Sequence, residues 1–273
     1  MEVNSIKLRN FRNYQDLELQ LNKKVNVFVG KNGQGKSNLV ESIFFGLTGE
    51  SFRIHDKNEL IHKGQNYSEV EIITEEKKIF RNINIKIHDR KISTVINNKK
   101  KGLAELKRLH PVIVFSPDSL LVIKQGPGEK RNFLDELLSS ISLEHAEFIS
   151  AFKKCLKVRN RVFKMHLEGQ LPRQEALKIL SSLESNFLKT AVDLVISRIV
   201  LLKEIVLSAK VNIKDIMRQQ NVDISVDYII SKQSAIDWSK NQVYDSLKSR
   251  LQELHEAELS AGVSLVGPHK HDF

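Results

Sequence analysis

Gly30, Gly33, Gly35, Lys36 and Ser37 stand in the run Gly30-Lys31-Asn32-Gly33-Gln34-Gly35-Lys36-Ser37, which has the spacing of a phosphate-binding loop. The glycines open backbone conformations closed to other residues, so that successive N–H groups can converge on one anion. Lys36 adds a point charge for β- and γ-phosphates, and Ser37 adds a hydroxyl for Mg²⁺. The chemistry this supports is capture of a nucleoside triphosphate. Hydrolysis is a separate property, because it also needs an acidic residue for the metal and a group that positions water.

Such a loop has to be held between a strand and a helix. Val25, Val27 and Val29 alternate just before it and predict the strand. From Ser37 onward, Leu39, Val40, Ile43, Phe44 and Leu47 recur at helical spacing, which predicts a helix whose positive end faces the anion. Further strands are expected at Ile6–Phe11, Leu17–Leu21, Val70–Ile73, Ile83–Ile87, Ile92–Ile96 after an Asp89-Arg90 turn, and Val112–Phe115. The run Asn97 to Lys101 reads as a solvated hairpin tip or as a DNA contact.

Beyond Pro117 the apolar period becomes helical. Pro127 can start a helix carrying Phe133, Leu134, Leu137 and Leu138 on one face. The next helix puts Phe148, Phe152, Cys155, Leu156 and Phe163 in one sector and Lys153, Lys157, Arg161 and Lys164 in another. That basic stripe is either a solvated face or a set of DNA phosphate contacts. Leu171-Pro172 interrupts the chain before a long helix over about 174–214, followed by a strand at Val222–Tyr228 and a helix at Asp237–Leu259 closed by Gly262. No heptad pattern persists long enough for a coiled coil. The expected division is a head lobe at 1–116, a helical domain at 117–260, and a strand returning toward the head beginning at 261–273.

The chain has 273 residues and is 41% hydrophobic, enough for one large or two ordinary cores. Its 43 Lys and Arg against 33 Asp and Glu give a net charge of +10, which favours a polyanionic partner but is equally compatible with a merely basic protein. Cys155 is the single cysteine, so no intrachain disulfide is possible, and no Cys/His cluster has zinc spacing. The stretch Ala191–Leu207 is broken by Asp193, Arg198, Lys203 and Glu204 and cannot span a bilayer. With no leader pattern at the N-terminus, the expectation is a cytoplasmic protein without membrane contact.

Leu8 to Tyr14, L-R-N-F-R-N-Y, precedes the loop much as in the ABC-type ATPase heads of SMC-class DNA repair proteins. G-E-S-F-R at 49–53 with E-L-I at 59–61, V-F-S-P-D-S-L at 114–120, G-P-G-E-K-R-N-F-L-D at 126–135 and L-V-G-P-H-K-H-D at 265–272 resemble the RecF family, in order and over the whole chain. The resemblance implies an α/β fold: a P-loop ABC-type head with a mixed sheet plus an inserted, mostly helical second domain. It also implies ATP and Mg²⁺ as cofactors, and DNA at gaps or junctions, RecR and RecO as partners. An ATP-dependent homodimer would act in gap repair, replication restart and SOS induction. On this basis Gly30 to Ser37 carry over as ATP-binding residues, and Arg12 and Asn13 as groups approaching the nucleotide from the first strand's turn.

Two departures stand out. The acidic pair usual after G-P-H-R is replaced by Lys270, His271 and Asp272. The chain also ends at Phe273, ahead of the signature loop and the acidic Walker B strand of the family. Asp118 is better placed to cap a turn, and Asp135-Glu136 lies inside an expected helix. Negligible turnover is therefore expected of residues 1–273 alone. A P-loop kinase acting on a small molecule is the alternative, but neither an acceptor site nor a lid is visible. A GTPase lacks its N-K-x-D base-reading motif.

Overall fold

The computed structural model describes residues 1–54, 56–109, 112–116, 126–216 and 224–273, which fall into two compact units, Met1–Val114 and Phe115–Phe273. In the first unit six strands form one sheet: β1 (Glu2–Phe11), β2 (Tyr14–Gln20), β3 (Tyr67–Glu76), β4 (Ile79–His88), β5 (Lys91–Ile96) and β6 (Lys99–Lys101). Their order is β2-β1-β3-β4-β5-β6, and every pairing between them is antiparallel.

Period-two alternation explains how this sheet packs. Ile6 and Leu8 of β1, Val70 and Ile72 of β3, and Ile83, Ile85 and Ile87 of β4 all lie buried on one face. Two-residue turns at Lys77-Lys78, Asp89-Arg90 and Asn97-Asn98 take φ of 49° to 65°, 49° to 62° and 47° to 63° respectively, matching the strand twist. The helix α1 (Lys36–Thr48) covers the buried face through Leu39, Phe45 and Leu47. It sits so close that a Cβ at Gly46 would strike the side chain of Ile72. A short helix, α2 (Leu103–Leu109), follows β6.

The second unit is helical: α3 (Pro127–Ile141), α4 (Leu143–Leu167), α5 (Arg173–Ile216) and α6 (Lys240–Ala261), with a small hairpin of β7 (Ile229–Ile230) and β8 (Gln233–Ser234). Pro127 occupies the first turn of α3, Ser142 caps α4, and Ser239 with Gln242 forms a capping box for α6. Gly262 ends α6 with φ 68°. Of the sector expected to face inward on α4, Phe152, Cys155 and Phe163 are buried and Phe148 and Leu156 partly so; Phe187 and Leu194 of α5 and Val243, Leu247 and Leu251 of α6 are buried beside them. Residues 261–273 cluster with these helices through a short 3-10 turn, Pro268–Lys270, and a bridge between Ile229 and Asp272.

Buried charges tie the helices together. The Arg198 guanidinium donates twice to Asp135 at 2.8 Å, and also to Tyr228 Oη and the Pro268 carbonyl. Arg159 bonds Glu258 at 2.7 Å and lies over the rings of Phe163 and Phe187. Glu258 in turn accepts from the backbone N–H groups of Leu265 and Val266, fixing the chain after α6.

Three expected strands are corrected. Val25, Val27 and Val29 form no ladder and are 71%, 77% and 89% exposed. Val112–Phe115 likewise forms no ladder with any described residue, and Ile113 and Phe115 are exposed. Alternation defines a strand's faces, but its hydrogen bonds need a neighbour, and no described segment pairs with either run. The strand expected at Val222–Tyr228 is replaced by the hairpin beginning at Ile229, with 224–228 outside any strand. Val222, Pro117 and Asp118 lie outside the described residues.

Candidate functional site

The phosphate-binding loop begins where the backbone leaves Val29 and ends in the first turn of α1. Gly33 takes φ 81°, and Gly35, the N-cap of α1, takes φ 101°. Gly35 has a second reason to be glycine: a Cβ there would lie 2.6 Å from Asn13 Nδ2 and 2.9 Å from the Tyr14 hydroxyl. With no side-chain cap and no acidic residue in the first turn, the leading N–H groups of α1 are left for an incoming anion.

Lys36 folds back across the loop, its ammonium donating to the carbonyls of Gly30 at 2.6 Å and Lys31 at 2.8 Å. Ser37 is exposed in the same turn, and Gly30, Lys31, Asn32, Gly33 and Gln34 form the exposed rim. Asn13 reaches this rim from the β1–β2 turn: its Nδ2 donates to the Gln34 carbonyl at 3.4 Å, and its Oδ1 accepts from Asn38 Nδ2 at 2.8 Å.

Arg12 is placed differently from Asn13. It holds a left-handed φ of 52° and turns its side chain onto Glu41, donating from Nε and Nη2 at 3.0 Å each, and from Nη1 to the Glu59 carbonyl. Its neighbours are thereby pinned, since Arg12 N–H bonds the Leu60 carbonyl and the Arg12 carbonyl meets His62 Nδ1. The guanidinium thus supports the turn that presents Asn13, and its own contacts are made with Glu41 and Glu59.

Glu41 was not among the sequence-derived candidates. It is fully buried on α1 and receives Ser51 Oγ at 2.5 Å, with Arg53 3.6 Å away. Arg53 also donates to Asn38 Oδ1 at 2.8 Å, so a polar chain runs from Arg53 through Asn38 and Asn13 to the loop backbone. A signal was available: Glu41 shares a helical face with Phe45 and Thr48, and a carboxylate on an apolar face requires a cationic partner.

The basic stripe lies in the other unit. Lys153, Lys157, Arg161 and Lys164 are all exposed on α4, with Lys164 3.6 Å from Glu168. Among the described residues no group of three or more His, Cys, Asp or Glu could hold a metal ion, and no helix is long and apolar enough to cross a membrane.

The P-loop and the sheet-and-helix unit around it define a nucleotide-binding ATPase head, and residues 5–258 match the AAA domain family. Relatives narrow this further. The chain is 31% identical over 276 residues to the DNA replication and repair protein RecF of Clostridium botulinum, covering 100% of this chain and 73% of that protein. It is 28% identical over 277 residues to the protein of the same name from Clostridium acetobutylicum, with 100% and 72% covered. Among solved structures, that of the recombination mediator protein RecF-ATP in the RecFOR pathway superposes with a TM-score of 0.85 at 25% identity, over 99% of this chain and 72% of that one. The chain belongs to the RecF family.

Proposed function

We propose that this chain binds ATP in the loop Gly30–Ser37 and uses the nucleotide to control its hold on DNA, as a recombination mediator of the RecF type. The carrying observation is the loop's end: Gly35 in a left-handed cap, Lys36 beside it, and an uncapped, acid-free first turn of α1. Lys36 exchanges its two carbonyl contacts for the β- and γ-phosphates, and the α1 amides complete the cradle. Asn13 lines the same rim, held there by Arg12 on Glu41. The exposed Ser37 hydroxyl suits one coordination position of Mg²⁺, whose remaining positions phosphate and water can fill. When bound, the metal neutralises phosphate charge.

In this reading 1–116 is the ATP-binding head and 117–260 the helical domain, with 261–273 leading back toward the head. ATP-dependent dimerisation, DNA gaps and junctions, RecR and RecO, and a cytoplasmic setting belong to the same reading, supported by family membership and the net charge of +10. Membership of the RecF family also displaces the kinase alternative. Lys153, Lys157, Arg161 and Lys164 stand as DNA phosphate contacts, four exposed cations on one helix.

Fluorescence anisotropy of labelled gapped DNA, with and without ATP and Mg²⁺, tests this function. ATP should raise DNA affinity in the wild-type protein and have no effect in Lys36→Ala. DNA affinity indifferent to ATP in both proteins would refute nucleotide control.

A further inference from the structure

The sheet treats its exposed cations in two ways. Across β2, β1 and β3 they are matched with acids: Lys7 with Glu18 at 3.0 Å, Arg9 with Glu69 at 3.6 Å, and Lys23 with Glu2 and Glu75 at 3.1 Å. At the tips of two hairpins they are not. Lys77 and Lys78 form the turn after β3, and Lys99 and Lys100 follow the Asn97-Asn98 turn after β5. All four are exposed, and none has an ion-pair partner among the described residues. The nearby acids are already engaged, Glu75 with Lys23 and Glu76 with Arg81.

Topology brings the two tips together. β3 and β5 flank β4 and both run antiparallel to it, so the turns that follow them fall at one end of the sheet, and the Asp89-Arg90 turn at the other. Asn97 N–H bonds the Asn82 carbonyl at 2.9 Å, setting the second tip three residues from Ile79, where β4 begins. At strand rise that stagger is about 10 Å, an interval over which duplex DNA presents about six phosphates. Ile79 and Phe80 are 56% and 58% exposed beside Lys77 and Lys78, an apolar step and a ring among unpaired cations. Lys77 and Lys78 also hold left-handed backbone that asparagine or glycine would adopt with less strain.

We propose that this end of the sheet is a second nucleic-acid surface: Lys77, Lys78, Lys99 and Lys100 grip a DNA phosphate backbone, independently of the α4 stripe. The inference rests on the DNA-binding reading above and adds a site on the head itself. Lysines on a short edge strand also discourage edge-to-edge pairing, a role that requires no ligand.

The test replaces Lys77, Lys78, Lys99 and Lys100 together by glutamate and compares this variant with one carrying Glu at Lys178, Lys189, Lys232 and Lys248. Those four are exposed lysines of the helical unit, and the change in net charge is the same. Anisotropy is measured on duplex and on single-stranded oligonucleotides across a salt series, with circular dichroism confirming the fold and a glutamine version of the tip variant as a second probe. A loss of tenfold or more specific to the tip variants, with a salt slope shallower by about 2 to 4, supports the surface, and the strand form affected identifies its ligand. Equal losses in tip and control variants overturn it, as does self-association of the tip variants with DNA affinity intact. A wild-type protein that binds DNA while the tip variants bind it equally well removes this surface alone. No DNA affinity in the wild type removes the DNA reading as a whole.

Discussion

Each unit buries a cluster of charges, but the two clusters are built for different work. In the helical unit Arg198, Asp135, Tyr228 and the Pro268 carbonyl close on one another, and Arg198 and Tyr228 are almost wholly buried. Burial alone would raise the Asp135 pKa, but hydrogen bonds from His145 and Arg198 hold it low. In the sheet unit Glu41 is equally buried, yet its partners are not: Arg12 is 18% exposed and Arg53 44%. The first cluster ends in itself. The second reaches outward, through Asn13 and Asn38, to the backbone of the loop Gly30–Ser37. A closed network contributes to stability alone, whereas an open one also positions a surface.

That contrast can be broken at either end, and the largest effect is expected in the closed cluster. Arg198→Ala leaves the mostly buried Asp135 carboxylate, 14% exposed, without its main partner and should cost about 3 kcal/mol in chemical denaturation, with ATP affinity unchanged in the folded protein. A fall in affinity equal to that of a P-loop variant would show that the networks do not act separately.

Glu41→Gln comes next. Loss of a charge-assisted pair should cost about 2 kcal/mol in stability and, unlike Arg198→Ala, weaken ATP binding about tenfold by freeing the Arg12 turn. Titration with a fluorescent ATP analogue decides this, and lower stability with full affinity would make Glu41 a packing residue only.

Acid should act on the closed unit. Burial, with Arg198 and neighbouring cations, pushes the His271 pKa down to about 3, and burial likewise lowers His269 to about 4. Both folded values lie below the unfolded value of 6.5, so the unfolded chain binds more protons between them. Their contribution is complete above pH ~6.5 and is lost as pH falls, by about 1 kcal/mol for each histidine between pH 6.5 and 5.5. Denaturation midpoints measured across that range should show this slope, and His271→Gln should flatten it. Gly35→Ala should cost about 1–2 kcal/mol for its left-handed backbone, with a further loss where the added Cβ meets Asn13 and the Tyr14 hydroxyl, read as reduced thermal stability of the sheet unit. An unchanged melting temperature would show that the cap relaxes freely.

The loop, its helix and most of the meander were legible because each depends on local spacing: glycines at fixed offsets, an alternating Ile83-Ile85-Ile87, a proline opening α3. The strands at 25–29 and 112–115 were misread because alternation says nothing about a ladder partner. Arg12 was found by its position in a motif, but its partner was not, since Glu41 lies 29 residues away and meets it only when α1 packs on the sheet. The segment 126–135 had no evident role in sequence. In the structure Arg131 donates to the His271 carbonyl and Asp135 receives Arg198, joining that segment to 267–272.

Calorimetric titration of ATP with Mg²⁺ into the wild-type protein and into Lys36→Ala tests the central claim most directly. Saturable binding by the wild type and none by the variant, with both equally folded, is the expected result. Undiminished affinity in Lys36→Ala would contradict the assignment of Gly30–Ser37 as the nucleotide site.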